Sequence, residues 1–167
     1  VAVQDLSFSV GPGEIVALVG ESGSGKSVTA LSVLQLLPTY TLEHAGGRIW
    51  FSDTDNQPVD LLRLGREELQ QLRGNRIAMI FQEPMTSLNP VFTCGFQVME
   101  SLQRHLKLKD AEARKRAVEL FEKVRLPDPE TCLNKYPHQL SGGQRQRVMI
   151  AMAMSCQPRS EEHTSEL

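Results

Sequence analysis

The sequence has no long apolar run, few aromatic residues and no excess of charge of either sign. Aromatic residues make up 5% of the chain, and 18 basic against 20 acidic side chains leave a formal net charge of −2. The longest apolar stretch, Val148 to Cys156, is about half of the ~18 residues that a membrane-spanning helix needs. We therefore expect neither a membrane-spanning segment nor the basic surface of a nucleic-acid-binding domain.

Cysteine is also scarce. Cys94, Cys132 and Cys156 are widely separated and lack the spacing of zinc ligands. An odd, dispersed set of this kind is typical of buried thiols in a reducing compartment rather than of a disulfide framework. With 167 residues, of which 40% are apolar, the chain is long enough for one domain with a real core.

The most informative stretch reads GESGSGKS and has the pattern G-x-x-x-x-G-K-S. The apolar segment Glu14–Val19 before it has the length of a strand, and Val28–Leu37 after it predicts a helix that Pro38 stops. A strand, a glycine-rich loop and a helix in this order are the setting of a phosphate-binding loop. The candidate phosphate-binding residues are Gly20, Glu21, Ser22, Gly23, Ser24, Gly25, Lys26 and Ser27.

Each residue type in this loop suits a nucleotide phosphate. The glycines allow a tight turn, so that successive amides can point at phosphate oxygens. The helix that starts near Lys26 adds the positive end of its dipole. The Lys26 ammonium can reach the β- and γ-phosphates, and the Ser27 hydroxyl can bind Mg²⁺. We therefore interpret the stretch as a nucleotide site, with Lys26 in a catalytic role.

Other segments predict strands on either side of this loop. Val1–Val10 alternates in its second half and is predicted to pair antiparallel with Glu14–Val19 across a Gly-Pro-Gly turn. The apolar run Ile77–Phe81 is typical of a strand buried in a parallel sheet. Gln82 follows it directly, at the end of a strand where ligands collect. Its amide oxygen could bind Mg²⁺, and the side chain could bind the attacking water.

The second half of the chain has helical periodicity. Thr93 is a candidate N-cap for the first helix of the stretch Thr93–Leu126, and Asp110 for the second. Farther on, Leu140–Gln144 reads LSGGQ and leads into a strong helix predicted for Arg145–Cys156. Free amides at a helix start again favour an anion.

These motifs together resemble the ABC ATPase family. In that resemblance, residues 20–27 correspond to the Walker A loop, Gln82 to the Q-loop glutamine, and LSGGQ to the signature. The resemblance implies a head-to-tail dimer in which the signature of one copy completes the γ-phosphate site of the other. The residues that would do so are Ser141, Gly142, Gly143 and Gln144. The implied ligands are ATP and Mg²⁺.

Two further sequence motifs resemble one branch of this family. FQEPMTSLNP at 81–90 and YPHQ at 136–139 are similar to the dipeptide, oligopeptide and nickel importer branch. The resemblance implies an ATPase subunit that couples ATP binding and hydrolysis to uptake of peptides or related small solutes. Its implied partners are a second ATPase subunit, membrane permease subunits and, indirectly, a solute-binding protein, with no nucleic acid. The expected location is peripheral, on the cytoplasmic face of the membrane.

The expected fold class is α/β, a P-loop NTPase core with an N-terminal antiparallel β part and a helical subdomain. We expect a nucleotide-binding core at 1–92, a helical subdomain at 93–140 and a signature helix at 141–158. The C-terminal half of the core sheet is expected to be missing, because no strand ending in Asp-Glu and no switch histidine follow Cys156. We therefore expect poor stability and negligible ATP hydrolysis from this chain alone.

The last nine residues, 159–167, are polar and without periodicity, and we expect them to be non-native or disordered. A DNA sequence that encodes these nine residues can be written so that it matches a common sequencing adapter read in frame.

Several other functions stay open. A soluble ABC-type ATPase of DNA repair or translation is disfavoured by the FQEPMTSLNP string. The ABC ATPases of DNA repair insert long coiled coils between the Walker A loop and the signature. Here only 58 positions separate Gln82 from Leu140 (140 − 82), and no heptads run between them, which disfavours that class. A small-molecule kinase is disfavoured by the LSGGQ string. A non-hydrolysing nucleotide-binding fragment fits the same motifs as the importer subunit.

Overall fold

A computed structural model describes residues 3–37, 46–52, 57–81, 87–158 and 160–163. The chain forms two compact units that meet in sequence between Leu69 and Gln70. The expected α/β class agrees with the helices and strands of the described residues. The functional division expected at 92, 140 and 158 stays a prediction.

The described residues of the first unit form one helix, a two-stranded ribbon, a short 3₁₀ turn and the beginning of a second helix. Helix α1 spans Lys26–Val33, and strands β1 (Trp50–Phe51) and β2 (Val59–Asp60) pair antiparallel. The 3₁₀ turn Leu61–Arg63 follows β2 directly. The buried Asp60 carboxylate accepts hydrogen bonds from the amides of Ile49 and Leu62, both at 3.2 Å. This carboxylate therefore joins the ribbon to the turn, and its cost of burial is offset by two donors.

The predicted antiparallel pair at the start of the chain is wrong. Within the described residues, 3–20 form no strand, and the antiparallel pair is instead β1 with β2. The Gly11–Glu14 turn does form, with the Glu14 amide donating to the Gly11 carbonyl at 3.1 Å. A strand exists only when a neighbour completes its hydrogen-bond ladder, and none of the described residues does so here. The apolar side chains stay in solvent, and Ile15 is 97% exposed.

The second unit is mainly helical and holds the larger core. Helix α2 (Arg66–Leu72) crosses the boundary between the units, and Gly74 follows it with a positive φ of 77°. The remaining helices are α3 (Cys94–Leu106), α4 (Asp110–Lys123), α5 (Pro129–Asn134) and α6 (Gly142–Met154), with a 3₁₀ turn at Pro137–Gln139. The core side chains buried most completely include Val98, Leu102, Leu120, Phe121, Leu133 and Val148.

A parallel strand pair completes this unit. Strand β3 (Ile77–Ile80) pairs in register with β4 (Ser160–His163), from Ile77 opposite Ser160 to Ile80 opposite His163. Residues 160–163 of the tail therefore have regular backbone structure, and a non-native origin of residues 159–167 stays a prediction. Backbone pairing needs no apolar sequence, so a polar segment can take this position beside a buried strand. Among the described residues this sheet has two strands, so one edge of β3 is paired with β4 and its other edge has no strand beside it.

Helix starts in this unit agree closely with the sequence. The Thr93 hydroxyl caps α3 by accepting from the Phe96 amide at 3.2 Å, as predicted. The second predicted cap is wrong by one residue, because Lys109 occupies the N-cap of α4 and Asp110 is its first residue. Among the described residues the longest helix has 14 residues, and none combines the length and apolar character needed to cross a bilayer.

Candidate functional site

Residues 20–27 form a closed turn that leads into α1. The Ser24 amide donates to the Glu21 carbonyl at 3.1 Å, and Gly23 and Gly25 have positive φ angles of 80° and 92°. L-residues with side chains rarely adopt these angles, so the two glycines are required by the turn. A Cβ at Gly20 would lie 2.7 Å from the Ser24 hydroxyl oxygen, so a larger residue at this position would displace that hydroxyl.

The Lys26 side chain folds back over this turn. Its ammonium donates to the carbonyls of Gly20 and Glu21, both at 2.7 Å, and lies 3.5 Å from the Ser24 hydroxyl oxygen. The positive charge is therefore fixed above the turn rather than extended into solvent. An anion that enters the turn would meet this ammonium without any rearrangement of the backbone.

The start of α1 has free hydrogen-bond donors. No side chain caps this helix, its first turn has no acidic residue, and Gly25 occupies the N-cap. Within the described residues, no acceptor is present for the amides of Gly25, Lys26, Ser27 and Val28. Unsatisfied amides and the helix dipole together make an anion site. The exposed Ser27 hydroxyl beside them is a suitable oxygen ligand for a cation bound to that anion.

The LSGGQ stretch forms the start of α6. Leu140 is buried and anchors the turn, and Ser141 is the N-cap. Ser141 and Gln144 form a capping box: the Ser141 amide donates to Gln144 Oε1 at 2.9 Å, and the Gln144 amide donates to Ser141 Oγ at 3.3 Å. In the described part of the chain, no acceptor is present for the amides of Gly142 and Gly143. Two amides without an acceptor therefore lie at the exposed start of α6.

The two glycines of this turn are not required by the fold of the chain. Both lie in the helix, neither has a positive φ, and a Cβ built on either meets no atom within 4 Å. Glycine in a helix is less stable than alanine by roughly 0.5–1 kcal/mol. The space over both glycines is open, and alanine at either position would meet no atom of the described chain.

The predicted site residues fall into two groups that belong to different units. Gly20–Ser27 lie together in the first unit, and Ser141–Gln144 lie together in the second. Gln82 is outside the described residues. Sequence reasoning missed the fold-back of Lys26 and a contact of Arg147 considered below. Neither contact can be recognised from the sequence, because each depends on where a backbone carbonyl lies in the folded chain.

Comparison with known proteins gives one family. A family model described as "ABC transporter" matches residues 3–160. The chain is 51% identical over 157 residues to the "Probable peptide ABC transporter ATP-binding protein y4tR" of Sinorhizobium fredii, covering 94% of this chain and 45% of that protein. It is also 51% identical to the "Glutathione import ATP-binding protein GsiA" of Pectobacterium atrosepticum, covering 94% of this chain and 25% of that protein. The chain thus spans between a quarter and about half of these relatives.

A solved structure is similar along most of the fold. The ATP-binding cassette MJ0796, in a dimeric post-hydrolysis state bound to ADP and Pi, matches with a TM-score of 0.77 and 30% sequence identity. The match covers 94% of this chain and 62% of the cassette. With the family model covering nearly all of the described residues, the chain belongs to the ABC transporter family.

Proposed function

We propose that the chain is the ATP-binding part of an importer subunit that couples ATP binding and hydrolysis to uptake of peptides or related small solutes. The observation that carries this proposal is the turn at residues 20–27. It combines a fixed Lys26 ammonium with amides that have no acceptor among the described residues. The names of the relatives, which describe peptide and glutathione import, support the solute class.

In this proposal the turn binds the triphosphate of ATP. Lys26 would contact the β- and γ-phosphates, and the amides at the start of α1 would bind the remaining oxygens. Mg²⁺ would be held by the Ser27 hydroxyl together with phosphate oxygens and water, which suits a cation that keeps most of its waters. Gln82 would be the second protein ligand, on the strength of its place in the sequence.

The signature turn would act on a second copy. Ser141, Gly142, Gly143 and Gln144 would approach the γ-phosphate bound by the other subunit, in a head-to-tail dimer. The open space over Gly142 and Gly143 supports this role, because phosphate oxygens need close access to the two amides. ATP would then stabilise the dimer, and hydrolysis would loosen it.

The remaining partners follow from the same proposal. Permease subunits in the membrane would receive the conformational change, with Gln82 and residues 93–126 as the relay, and a solute-binding protein would deliver the solute to them. The chain would act as a peripheral subunit at the cytoplasmic face. The chain also spans less than half of its relatives, so hydrolysis is assigned to the complete subunit.

A binding measurement with matched variants tests the proposal. We would titrate the purified chain with a fluorescent ATP analogue in the presence of Mg²⁺. Lys26→Ala should weaken binding at least tenfold, since it removes a charge-assisted contact. Lys115→Ala, which removes an exposed lysine of α4, should leave binding unchanged. Equal binding by both variants, or none by the unaltered chain, would contradict the nucleotide site.

A second measurement tests the link to transport. The matched residues of this chain would replace those of the Sinorhizobium fredii relative, and ATP-dependent peptide uptake would be followed in membrane vesicles with its permease. We expect uptake by the hybrid and none by the hybrid with Lys26→Ala. ATP hydrolysis by the hybrid without uptake would support the soluble ATPase alternative instead.

A further inference from the structure

The Arg147 side chain connects α6 to the end of α4. Its Nη1 donates a hydrogen bond to the Arg125 carbonyl oxygen at 2.5 Å, across 22 positions of sequence. Arg147 lies in the second turn of α6, five positions after Gly142. The carbonyl that it reaches lies just beyond α4, which ends at Lys123. A guanidinium is favoured at this place because helix C-termini carry partial negative charge.

The end of α4 has a strained residue that this bond stabilises. Arg125 adopts a left-handed conformation with a φ of 56°, which costs free energy for any residue except glycine. The turn is closed by the Leu126 amide, which donates to the Phe121 carbonyl at 3.0 Å, and the Leu126 side chain is buried. The carbonyl of Arg125 is thus held in a fixed direction, and it is a firm anchor for a side chain from another helix.

The first part of α6 has few other attachments. Residues 141–147 are exposed or half-buried, and the buried side of the helix begins at Val148. Among the described residues, the remaining hydrogen bonds of this stretch are internal: the Ser141–Gln144 capping box and the Arg145 amide to the Ser141 carbonyl. The bond of Arg147 is therefore the hydrogen bond that connects the first two turns of α6 to another element of this unit.

We propose that Arg147 is a positioning residue that fixes the direction in which α6 presents the Gly142 and Gly143 amides. Without its bond to Arg125, the exposed segment 141–147, which lies between buried Leu140 and buried Val148, would change its direction relative to α4 more readily. The two amides would then meet a phosphate of the second copy in the correct geometry only part of the time. This functional consequence rests on the proposed function, but the structural role does not.

Amide hydrogen exchange of the chain, read residue by residue by NMR, tests the structural role. Arg147→Ala should raise exchange at Gln146, Arg147 and Val148 about tenfold, since these amides bond to carbonyls of the first turn. Amides near Met154 should keep their rates. Arg147→Lys should restore part of the protection because a lysine can still donate one hydrogen bond. Arg114→Ala, an exposed arginine of α4, is the matched control and should have no effect.

A double variant separates positioning from simple capping. Arg147→Ala should also raise exchange of the Leu126 amide, which closes the turn at the end of α4. Glycine adopts the left-handed turn without strain, so Arg125→Gly should restore protection there in the Arg147→Ala background. The start of α6 should remain unprotected, because the glycine does not replace the lost connection. If Arg125→Gly restored both regions, or if Arg147→Ala left Gln146–Val148 unchanged, the positioning role would be refuted.

Sedimentation with Mg²⁺ and ATP tests the consequence for the second copy. Arg147→Ala should weaken ATP-dependent self-association about tenfold while leaving binding of the ATP analogue by the Lys26 turn unchanged. Unchanged self-association in a variant with altered exchange would refute the functional part of the proposal. If the unaltered chain failed to bind ATP at all, the proposed function would fail, and the exchange pattern would still decide the role of Arg147.

Discussion

Replacing Gly143 by alanine should make the chain more stable and less able to associate. The position is helical, its φ is not left-handed, and a Cβ there meets no atom within 4 Å. Alanine stabilises a helix interior by up to about 1 kcal/mol relative to glycine. In a first turn we expect the lower half of that range. For a chain of this size, about 0.5 kcal/mol corresponds to a rise of roughly 1–2 °C in Tm.

The same methyl group would occupy space that the proposed site keeps open for a phosphate. Loss of one charge-assisted hydrogen bond costs about 1.5–3 kcal/mol, which is a ten- to hundredfold weaker association. Thermal unfolding followed by circular dichroism gives the first quantity, and sedimentation with Mg²⁺ and ATP gives the second. Lower stability would show that the fold itself needs Gly143. Higher stability with unchanged association would show that nothing approaches this turn.

Three other predictions concern the second unit. Gly95→Ala, the same change in another helix, should lower Tm by several degrees, because its Cβ would lie 2.6 Å from the Leu133 carbonyl oxygen and 2.9 Å from its Cα. Burial raises the pKa of Cys94 from 9 to about 11, so the contribution of this thiol to the free energy of unfolding should be complete below pH 9 and be lost as the pH rises toward 11. Burial also raises the pKa of Cys132, and alkylation of either thiol at pH 8 should require unfolding. Burial, together with the nearby positive charges of Arg104 and Lys107, lowers the pKa of His105 from its usual 6.5. The free energy of unfolding should therefore fall as the pH drops below 6.5. His105→Gln should reduce this dependence on pH, which urea titrations at several pH values would measure.

The parts of the fold that the sequence predicts are those set by neighbouring residues. The glycines at 23 and 25 and the Thr93 cap depend on chemistry within four positions, and the structure has all three. The Ser141–Gln144 capping box is of the same kind. Such features need only the local backbone, so a motif and its flanks are sufficient.

The parts that the sequence does not predict depend on distant partners. Residues 3–20 have the alternation of strands but find no ladder among the described residues, whereas the polar segment 160–163 pairs with β3. A strand pair needs two segments, and the residue pattern of one segment does not reveal which other segment will pair with it. The Arg147 contact is missed for the same reason, because its acceptor is a backbone carbonyl that any residue at 125 would present.

The central claim is that two copies of this chain share one triphosphate, bound by Lys26 of one copy and approached by Ser141–Gln144 of the other. Photo-crosslinking with an ATP analogue that carries its reactive group on the γ-phosphate tests this directly. We would mix the unaltered chain with a heavier, isotopically labelled copy carrying Lys26→Ala, irradiate, and locate the label by peptide mass spectrometry. We expect label on the 141–144 segment of the Lys26→Ala copy, and only when the unaltered chain is present. Label confined to residues near Lys26 of the unaltered copy would contradict it.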